Sequence, residues 1–280
     1  MSDAGLAASE PVTAVDEHGA SRITPIAAER PLTLYVDKRE VVTLMTLGSQ
    51  PELLVLGWLR NQRLVEEPGG IAAIQVDWET ESVAVTTRQG IAGLERRLAH
   101  KTVTTGCGQG TVFGDLMEEV ERIRLPAARF SQARIYALLE ALGSHNEIYR
   151  QAGAVHGCAL CRDDRILHFV EDVGRHNAVD TIAGLMWLEG MEGGDKIFYT
   201  TGRLTSEMVI KVAQMGVPLL LSRSGLTLMG LEIARRVGVT LIARARGRHF
   251  LVYHGAERLD FDAPPPRRVG ERLGTAAGRC

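Results

Sequence analysis

The feature that most constrains the fold is an alternation of apolar strand-like segments with amphipathic helices over residues 131–253. The pattern predicts helices at 131–143, 178–188, 206–214 and 226–237, and strands at 166–170, 196–200, 217–222, 239–243 and 250–253. Strands that alternate with helices usually form a parallel sheet, because each connecting helix packs back onto the sheet. We therefore predict a three-layer α/β domain with a mostly parallel sheet over residues 125–262.

The segments outside this domain are shorter and more varied. We expect a small α+β unit over 29–104, in which a hairpin precedes a helix capped by Ser49 and two short strands. A Gly-rich loop and linker follow at 105–124. Residues 1–28 lack a basic stretch followed by an apolar one, so they are no secretory signal, and we expect a disordered leader. Pro, Gly and Arg are frequent in 263–280, which we expect to be a disordered tail.

The composition excludes several classes of protein. The 280 residues carry 32 Lys and Arg against 34 Asp and Glu, a net charge of −2, so nothing indicates a nucleic-acid partner. No apolar run approaches the roughly 18 residues that a membrane span needs. Four cysteines are too few for a disulfide scaffold at this length, and they fit a reducing cytoplasm.

Cys107 lies in the most flexible stretch of the sequence, 104–111, among Gly106, Gly108 and Gly110. Glycine allows backbone conformations that a Cβ atom forbids, so a thiol in such a loop is able to reach a reaction partner. The alternative is an ordinary turn that happens to contain cysteine, and spacing alone does not separate the two. Cys107 is therefore a candidate nucleophile.

Four polar clusters follow strands of the predicted sheet or begin its helices, and each contains arginine. Open α/β sheets bind ligands at such strand ends, and helix N-termini favour anions. Guanidinium groups match phosphate oxygens, so the clusters predict a phosphate-binding pocket; the alternative is that the serines only cap helices and the arginines are solvated. The clusters span 171–177, 201–207, 222–227 and 244–249.

His156, Cys158 and Cys161 have a spacing that a zinc site could use. The zinc deaminase pattern needs a Glu two residues after the His, whereas Cys158 occupies that position, so the general acid–base is missing. Both cysteines also lie in an apolar strand-like segment, where free cysteine usually serves as a small core residue. We predict that these two thiols are structural and that the protein holds no metal.

The ordered set of motifs from Pro31 to Leu259 resembles the formate dehydrogenase accessory sulfurtransferase family, FdhD. The run from Glu171 to Asp180 is the most specific of them. The motifs are Glu29-Arg30-Pro31-Leu32-Thr33, the Cys107 loop, Val155-His156, Glu171-Asp172-Val173-Gly174-Arg175-His176-Asn177-Ala178-Val179-Asp180, Gly202-Arg203, Ser206-Glu207-Met208-Val209, Ser222-Arg223-Ser224, Thr227 and Tyr253.

The resemblance implies a fold, a reaction and partners. The fold is cytidine-deaminase-like without zinc, usually in a homodimer. The loop cysteine, here Cys107, receives sulfur from a cysteine desulfurase as a persulfide and passes it to the molybdenum cofactor, bis(molybdopterin guanine dinucleotide), for formate dehydrogenase. The cofactor segment of the family corresponds here to Arg244, Ala245, Arg246, Gly247, Arg248 and His249. Arg175, His176, Arg203 and Arg223 are assigned to the same pocket.

The sequence departs from the family in the loop, where the family usually has a second cysteine and this chain has Gly110. A second thiol would release the sulfur by disulfide exchange, so Cys107 needs another route. Cys158 or Cys161 could take that part only if the loop folds back onto them. A cofactor-binding chaperone without sulfur transfer is therefore the alternative function. Ala152-Gly153-Ala154 and Thr46-Leu47-Gly48 also differ from the family pattern and affect local turns.

Overall fold

The structure is a computed structural model, and it describes residues 1, 3–94, 120 and 123–264. The Cys107 loop, with Gly110, and the predicted tail beyond residue 264 lie outside the described residues. No helix within the described ranges is both long and apolar enough to cross a membrane.

The strands of the described residues form two main sheets, and helices pack against them. The strands are β1 Ser9–Val15, β2 Ser21–Ala27, β3 Arg30–Val36, β4 Arg39–Thr46, β5 Ile71–Asp77, β6 Ser82–Thr87, β7 Phe130–Ser131, β8 His156–Arg162, β9 Arg165–Asp172, β10 Ile197–Thr200, β11 Leu219–Ser222, β12 Thr240–Arg246, β13 His249–His254 and β14 Leu259–Asp260. The α-helices are α1 Pro51–Asn61, α2 Gln132–His145, α3 Glu147–Ala152, α4 Arg175–Leu188, α5 Ser206–Gln214 and α6 Leu228–Val237.

The larger sheet is mixed, in the order β13-β12-β11-β10-β8-β9. The pairs β10–β11 and β11–β12 are parallel, whereas β8 runs antiparallel to both of its neighbours and β13 runs antiparallel to β12. The α/β class is confirmed, but the prediction of a mostly parallel sheet is wrong. Short turns join β8 to β9 and β12 to β13, and a turn of that length reverses a strand instead of crossing over to a parallel one.

The predicted parallel arrangement nevertheless holds for the four strands that helices connect. β9, β10, β11 and β12 all run the same way, and α4, α5 and α6 connect them in turn. These three helices pack on one face of the sheet, against side chains such as Leu160, Phe198 and Leu220. α2 packs on the other face, against side chains that alternate with them, such as Ala159 and Tyr199. Helices therefore cover both faces.

The smaller sheet, in the order β4-β3-β6-β5, forms a second core with α1. The predicted hairpin is confirmed as β3 and β4, and the turn between them places Asp37 and Lys38 at positive φ, 48° and 69°. Strand side chains such as Leu32, Leu34 and Val83 are completely buried beneath the helix. The small α+β unit is thus a sheet with a helix on one face.

Two glycines allow the smaller unit to pack closely against the larger one, because α1 and α4 cross there with their backbones in contact. A Cβ atom on Gly57 would lie 1.7 Å from the carbonyl oxygen of Asp180. A Cβ atom on Gly184 would lie 2.1 Å from the carbonyl oxygen of Leu53. No side chain fits at either position, so only glycine permits this separation between the helices.

The N-terminal segment differs from its prediction as a disordered leader. Residues 9–27 form the antiparallel hairpin β1–β2, in which Ser9 pairs with Ala27 and Val15 with Ser21. The residues before it are tied to the small unit, since the Ala4 amide donates to Glu52 at 3.0 Å and the Trp78 indole donates to the Ala4 carbonyl at 2.6 Å. The absence of a signal-like pattern did not rule out strand pairing, which depends on alternation and a turn.

The helix caps match the sequence in part. Ser131 caps α2 as predicted, because its Oγ accepts from the Arg134 amide at 3.2 Å. Ser49 does not cap α1; the N-cap residue is Gln50, which makes no side-chain cap, and Pro51 begins the helix.

We expect Gly57→Ala to lower the free energy of unfolding by about 2–3 kcal/mol or more, because the new methyl group forces α1 and α4 apart. Gly143→Ala is the matched control, since it is also a helical glycine but has open space around its Cβ position. That variant should gain roughly 0.5–1 kcal/mol from helix propensity. Urea unfolding monitored by circular dichroism measures both. Equal stability of the two variants would contradict the close helix contact.

Candidate functional site

The arginine clusters predicted from the sequence meet at one edge of the larger sheet. β9, β10, β11 and β12 run the same way, so their carboxyl ends lie side by side. Arg175, Arg203, Arg223 and Arg246 follow or end these four strands. We call these four residues the arginine edge. It is the place where open α/β sheets most often bind ligands.

Hydrogen bonds between neighbouring loops fix the backbone of this edge. The Ser222 hydroxyl donates to the Gly202 carbonyl at 2.7 Å, and the Arg223 amide donates to the Thr200 carbonyl at 3.2 Å. The Arg244 amide donates to the Ser224 carbonyl at 2.8 Å, which ties the end of β12 to the loop after β11. The arginines therefore project from backbone that is positioned before any ligand binds.

Arg175 is the most buried member of the arginine edge, with 8% of its surface exposed. It begins α4, and its side chain passes over Gly202, where a Cβ atom would lie 2.7 Å from the Arg175 Cδ. The glycine therefore makes room for the arginine stem. Arg203 is exposed, and Arg223 is half-buried.

Two buried carboxylates that the site assignment from sequence omitted hold the starts of two helices, Asp172 that of α4 and Glu171 that of α3. Asp172 accepts hydrogen bonds from the Thr46 hydroxyl at 2.6 Å, the Asn177 side chain at 2.8 Å and the Gly174 amide at 3.0 Å. Glu171 accepts from two amides at the start of α3. Both carboxylates belong to the motif 171–180, so that motif contained the signal. Gly174 and Asn177 lie in the same motif, but Thr46 and the amides of α3 are remote in sequence, and these contacts were not predictable.

His156 is a further residue at this edge that the site assignment from sequence did not include. It begins β8, whose antiparallel direction brings this end beside the carboxyl end of β10. The Gly157 amide donates to Thr201 Oγ1 at 3.0 Å, and the Thr201 amide donates to the Gly157 carbonyl at 2.9 Å. Burial, together with the charges of Arg175 and its neighbours in the arginine edge, lowers the pKa of the His156 imidazole.

A cavity of about 470 Å³ opens beside the arginine edge, between α2, α3 and β12. Arg223 and Arg246 supply its cationic groups, and the Arg223 guanidinium lies 5.7 Å from the centre of the Tyr149 ring. Leu139 and Tyr199 add apolar surface. The cavity falls within the usual size of small-molecule sites and combines aromatic surface with phosphate-binding groups.

The segment 244–249 spreads over several environments. Arg246 and Gly247 line the cavity, and Ala245 is buried in the core on the α2 face. Arg244 has a positive φ of 53° at a bulge in β12. Arg248 stacks over the Tyr136 ring at 5.2 Å, and the exposed His249 begins β13.

His176 lies inside the protein, in a chain of charged and polar groups that joins three helices. His176 Nε2 is 3.5 Å from Glu207, and Glu207 is 3.8 Å from Lys211 Nζ. Lys211 pairs with Asp180 at 2.7 Å, and Asn61 donates to the other oxygen of Asp180 at 2.6 Å. Burial and the nearby cations lower the pKa of His176 to about 2, so this imidazole is neutral. Through its contact with Glu207 it belongs to the interior packing beneath the arginine edge.

Cys158 and Cys161 are buried in the core on opposite faces of the sheet. They are three positions apart on a strand, and side chains an odd number of positions apart point to opposite faces. Burial raises the pKa of each thiol to about 12. They therefore do not form a shared metal site, and in the described part of the chain no group of three or more His, Cys, Asp or Glu is arranged to hold a metal.

Comparison with known proteins identifies the family. A sequence model described as the FdhD/NarQ family matches residues 27–260. The chain belongs to the FdhD/NarQ family. The resemblance noted from its motifs is therefore confirmed, and the match extends over both sheets of the fold.

Relatives within the FdhD/NarQ family align over most of their length. A protein of Listeria innocua named "Sulfur carrier protein FdhD" is 29% identical over 237 residues, which cover 84% of this chain and 91% of the relative. A protein of the same name from Wolinella succinogenes is 29% identical over 245 residues, covering 87% and 85%. A crystal structure from Desulfotalea psychrophila, described as a putative formate dehydrogenase accessory protein, aligns with a TM-score of 0.70, 26% identity, and coverage of 90% of this chain and 98% of that one.

We expect iodoacetamide to leave Cys158 and Cys161 unmodified in the native protein at neutral pH. Both thiols are buried and protonated, and alkylation needs an accessible thiolate. Peptide mass mapping should show both labelled only after unfolding in urea, which is the control. Labelling of Cys158 in the native protein at the rate of an exposed thiol would contradict the burial.

Proposed function

We propose that this protein is a sulfur carrier that uses Cys107 as its only carrier thiol. The family membership and the names of the relatives support a sulfur-carrier role. The glycines around Cys107 support access to that thiol. The burial of Cys158 and Cys161 leaves neither of them able to take its place. The burial of Cys158 and Cys161 is the observation on which the choice of Cys107 chiefly rests.

The sulfur donor in this proposal is a cysteine desulfurase that bears a persulfide. The Cys107 thiolate attacks the outer sulfur of that persulfide, so a new S–S bond forms on Cys107 and the bond to the desulfurase cysteine breaks. The electron pair of the broken bond returns to the desulfurase cysteine as a thiolate. No external oxidant or reductant is needed for this step.

The sulfur acceptor in this proposal is the molybdenum cofactor, bis(molybdopterin guanine dinucleotide), bound at the arginine edge and the adjoining cavity. Four arginines at the ends of neighbouring strands, where hydrogen bonds hold the backbone, fit the several phosphates of a guanine dinucleotide. The Tyr149 and Tyr199 rings fit its planar heterocycles. The cofactor is the cargo of the protein rather than its resident group, and it supplies the metal that takes up the sulfur.

The enzyme that receives this cofactor is proposed to be a formate dehydrogenase. The description of the related Desulfotalea psychrophila structure as a formate dehydrogenase accessory protein supports the assignment. The cytoplasmic location, the homodimer and the cytidine-deaminase-like layering stay predictions from the resemblance.

A cofactor-binding chaperone without sulfur transfer is a second candidate. It is favoured by the lack of an identified second thiol that could release the sulfur from Cys107. Gly110 replaces the usual second loop cysteine, and Cys158 and Cys161 are buried on strand β8. Release of sulfide by disulfide exchange therefore lacks a partner among the thiols of the described residues. A carrier with one thiol needs either an external reductant or direct uptake of the sulfur by the metal.

We expect the purified protein to gain the mass of one sulfur atom on Cys107 when it is incubated with a cysteine desulfurase and cysteine. Intact-protein and peptide mass spectrometry measure the addition and its position. Cys107→Ala should abolish it, whereas Cys280→Ala, which removes the other cysteine outside the described residues, should retain it. If Cys107→Ala still supports maturation of formate dehydrogenase in cells, the carrier function is excluded and the chaperone is favoured.

We expect Arg246→Ala to weaken binding of GDP by about tenfold or more, because one charge-assisted contact to a phosphate or the base is lost. Arg235→Ala is the matched control, since Arg235 is also exposed but lies in the last turn of α6, towards the opposite edge of the sheet. Isothermal titration calorimetry measures both affinities. An unchanged affinity in Arg246→Ala would remove the segment 244–249 from the ligand site.

A further inference from the structure

His156 stands at the arginine edge, and the proposed function gives it no part. The residue begins β8, and its Nδ1 lies 3.5 Å from Thr201 Oγ1, in the loop after β10. The side chain is half-buried, so the ring faces both protein and solvent. It is thus placed to contact a ligand that enters the edge.

Three arginines lie close enough to this imidazole to affect its charge. Arg175 begins α4, Arg203 lies in the loop after β10, and Arg223 follows β11. Burial lowers the pKa of His156, and the three guanidinium groups lower it further, because they repel the positive charge of a protonated imidazole. In the ligand-free protein His156 is therefore neutral at neutral pH.

The carboxylates closest to His156 on the paired strand β9 are committed to other partners. Asp172 pairs directly with His156 in register, but it accepts four hydrogen bonds from elsewhere. Glu171 accepts two bonds from backbone amides. The neighbouring His176 contacts Glu207 and is 2% exposed, so it does not exchange protons with the ligand.

We propose that His156 takes up a proton when a divalent oxyanion enters the arginine edge, and that it then serves as one more cationic contact of the ligand. This inference rests on the part of the proposed function that makes the arginine edge an anion site. The charge of the anion offsets the repulsion from the three arginines, so protonation of the ring becomes favourable only in the complex.

Thermodynamic linkage gives the sign of the pH dependence. If the complex holds one more proton than the ligand-free protein, then lowering the pH drives binding. Each unit by which the ligand raises the pKa of His156 adds up to about tenfold in affinity once the pH lies below both pKa values. The oxyanion class includes phosphate esters and sulfate, and sulfate has the advantage that its own charge is constant in this range.

The test is a titration of the full-length protein with sodium sulfate by isothermal titration calorimetry, at about pH 6 and about pH 7.5. Two buffers of different ionisation enthalpy are used at each pH, so that the heat reports the number of protons taken up. We expect the wild type to take up a substantial fraction of one proton at the lower pH, and to bind sulfate about three- to tenfold more tightly there.

His156→Asn and His156→Gln should bind sulfate without this proton uptake and with a nearly constant affinity across the two pH values. His168→Asn is the matched control, because His168 lies on β9 opposite Leu160, in the middle of the strand, with Glu189 at 3.1 Å. That variant should behave as the wild type does.

Two results would overturn the inference, and they differ in what they imply. Proton uptake that persists unchanged in both His156 variants assigns it to another group and leaves the anion site intact. Absence of sulfate binding to the wild type at both pH values removes the anion site itself, and with it the assignment of the cofactor to this edge. Neither result affects the persulfide on Cys107.

Discussion

The close contact between α1 and α4 is the interaction on which both the fold and the candidate site depend. At the crossing, Gly57 and Gly184 allow the helix backbones to touch, which leaves no freedom to tilt either helix without opening a gap. The same helix α4 carries the buried Asp180, paired with Lys211 of α5 and Asn61 of α1. A buried charge that loses its partner is costly, so these contacts fix the position of α4. Its first residue, Arg175, is fixed with it.

The arginine edge brings like charges together at the carboxyl ends of four strands. Asp172 and Glu171 lie beside the edge, but each is engaged by donors from other elements. Mutual repulsion between the cations is unfavourable in the ligand-free protein and is relieved by an anion. Burial lowers the pKa of His156, and the positive charges of Arg175, Arg203 and Arg223 lower it further. A cluster of this kind stabilises the fold little, which is in keeping with the proposal that it binds an anionic ligand.

Two of the four thiols lie in the protein interior. Cys158 and Cys161 are ordinary core residues, and burial raises their pKa values to about 12. The proposed sulfur transfer requires a thiolate, so the proposal assigns it to a cysteine outside the described residues, and Cys107 has the sequence context for it. The replacement of the usual second loop cysteine by Gly110 then makes the release of sulfur, rather than its uptake, the step that needs help from the acceptor or a reductant.

The sequence by itself determined the α/β class, most strands and helices, the family and the arginine clusters, because hydrophobic periodicity, caps and motifs are local properties. It did not determine the strand directions of β8 and β13, which depend on short turns, nor the N-terminal hairpin. Only the tertiary structure showed that His156 lies near Arg175, Arg203 and Arg223. Only it showed that His176, assigned to the ligand pocket from the sequence, is buried in the interior. The physical reason is that a site is made by residues far apart in sequence, whose approach is set by sheet order and helix packing rather than by any local pattern.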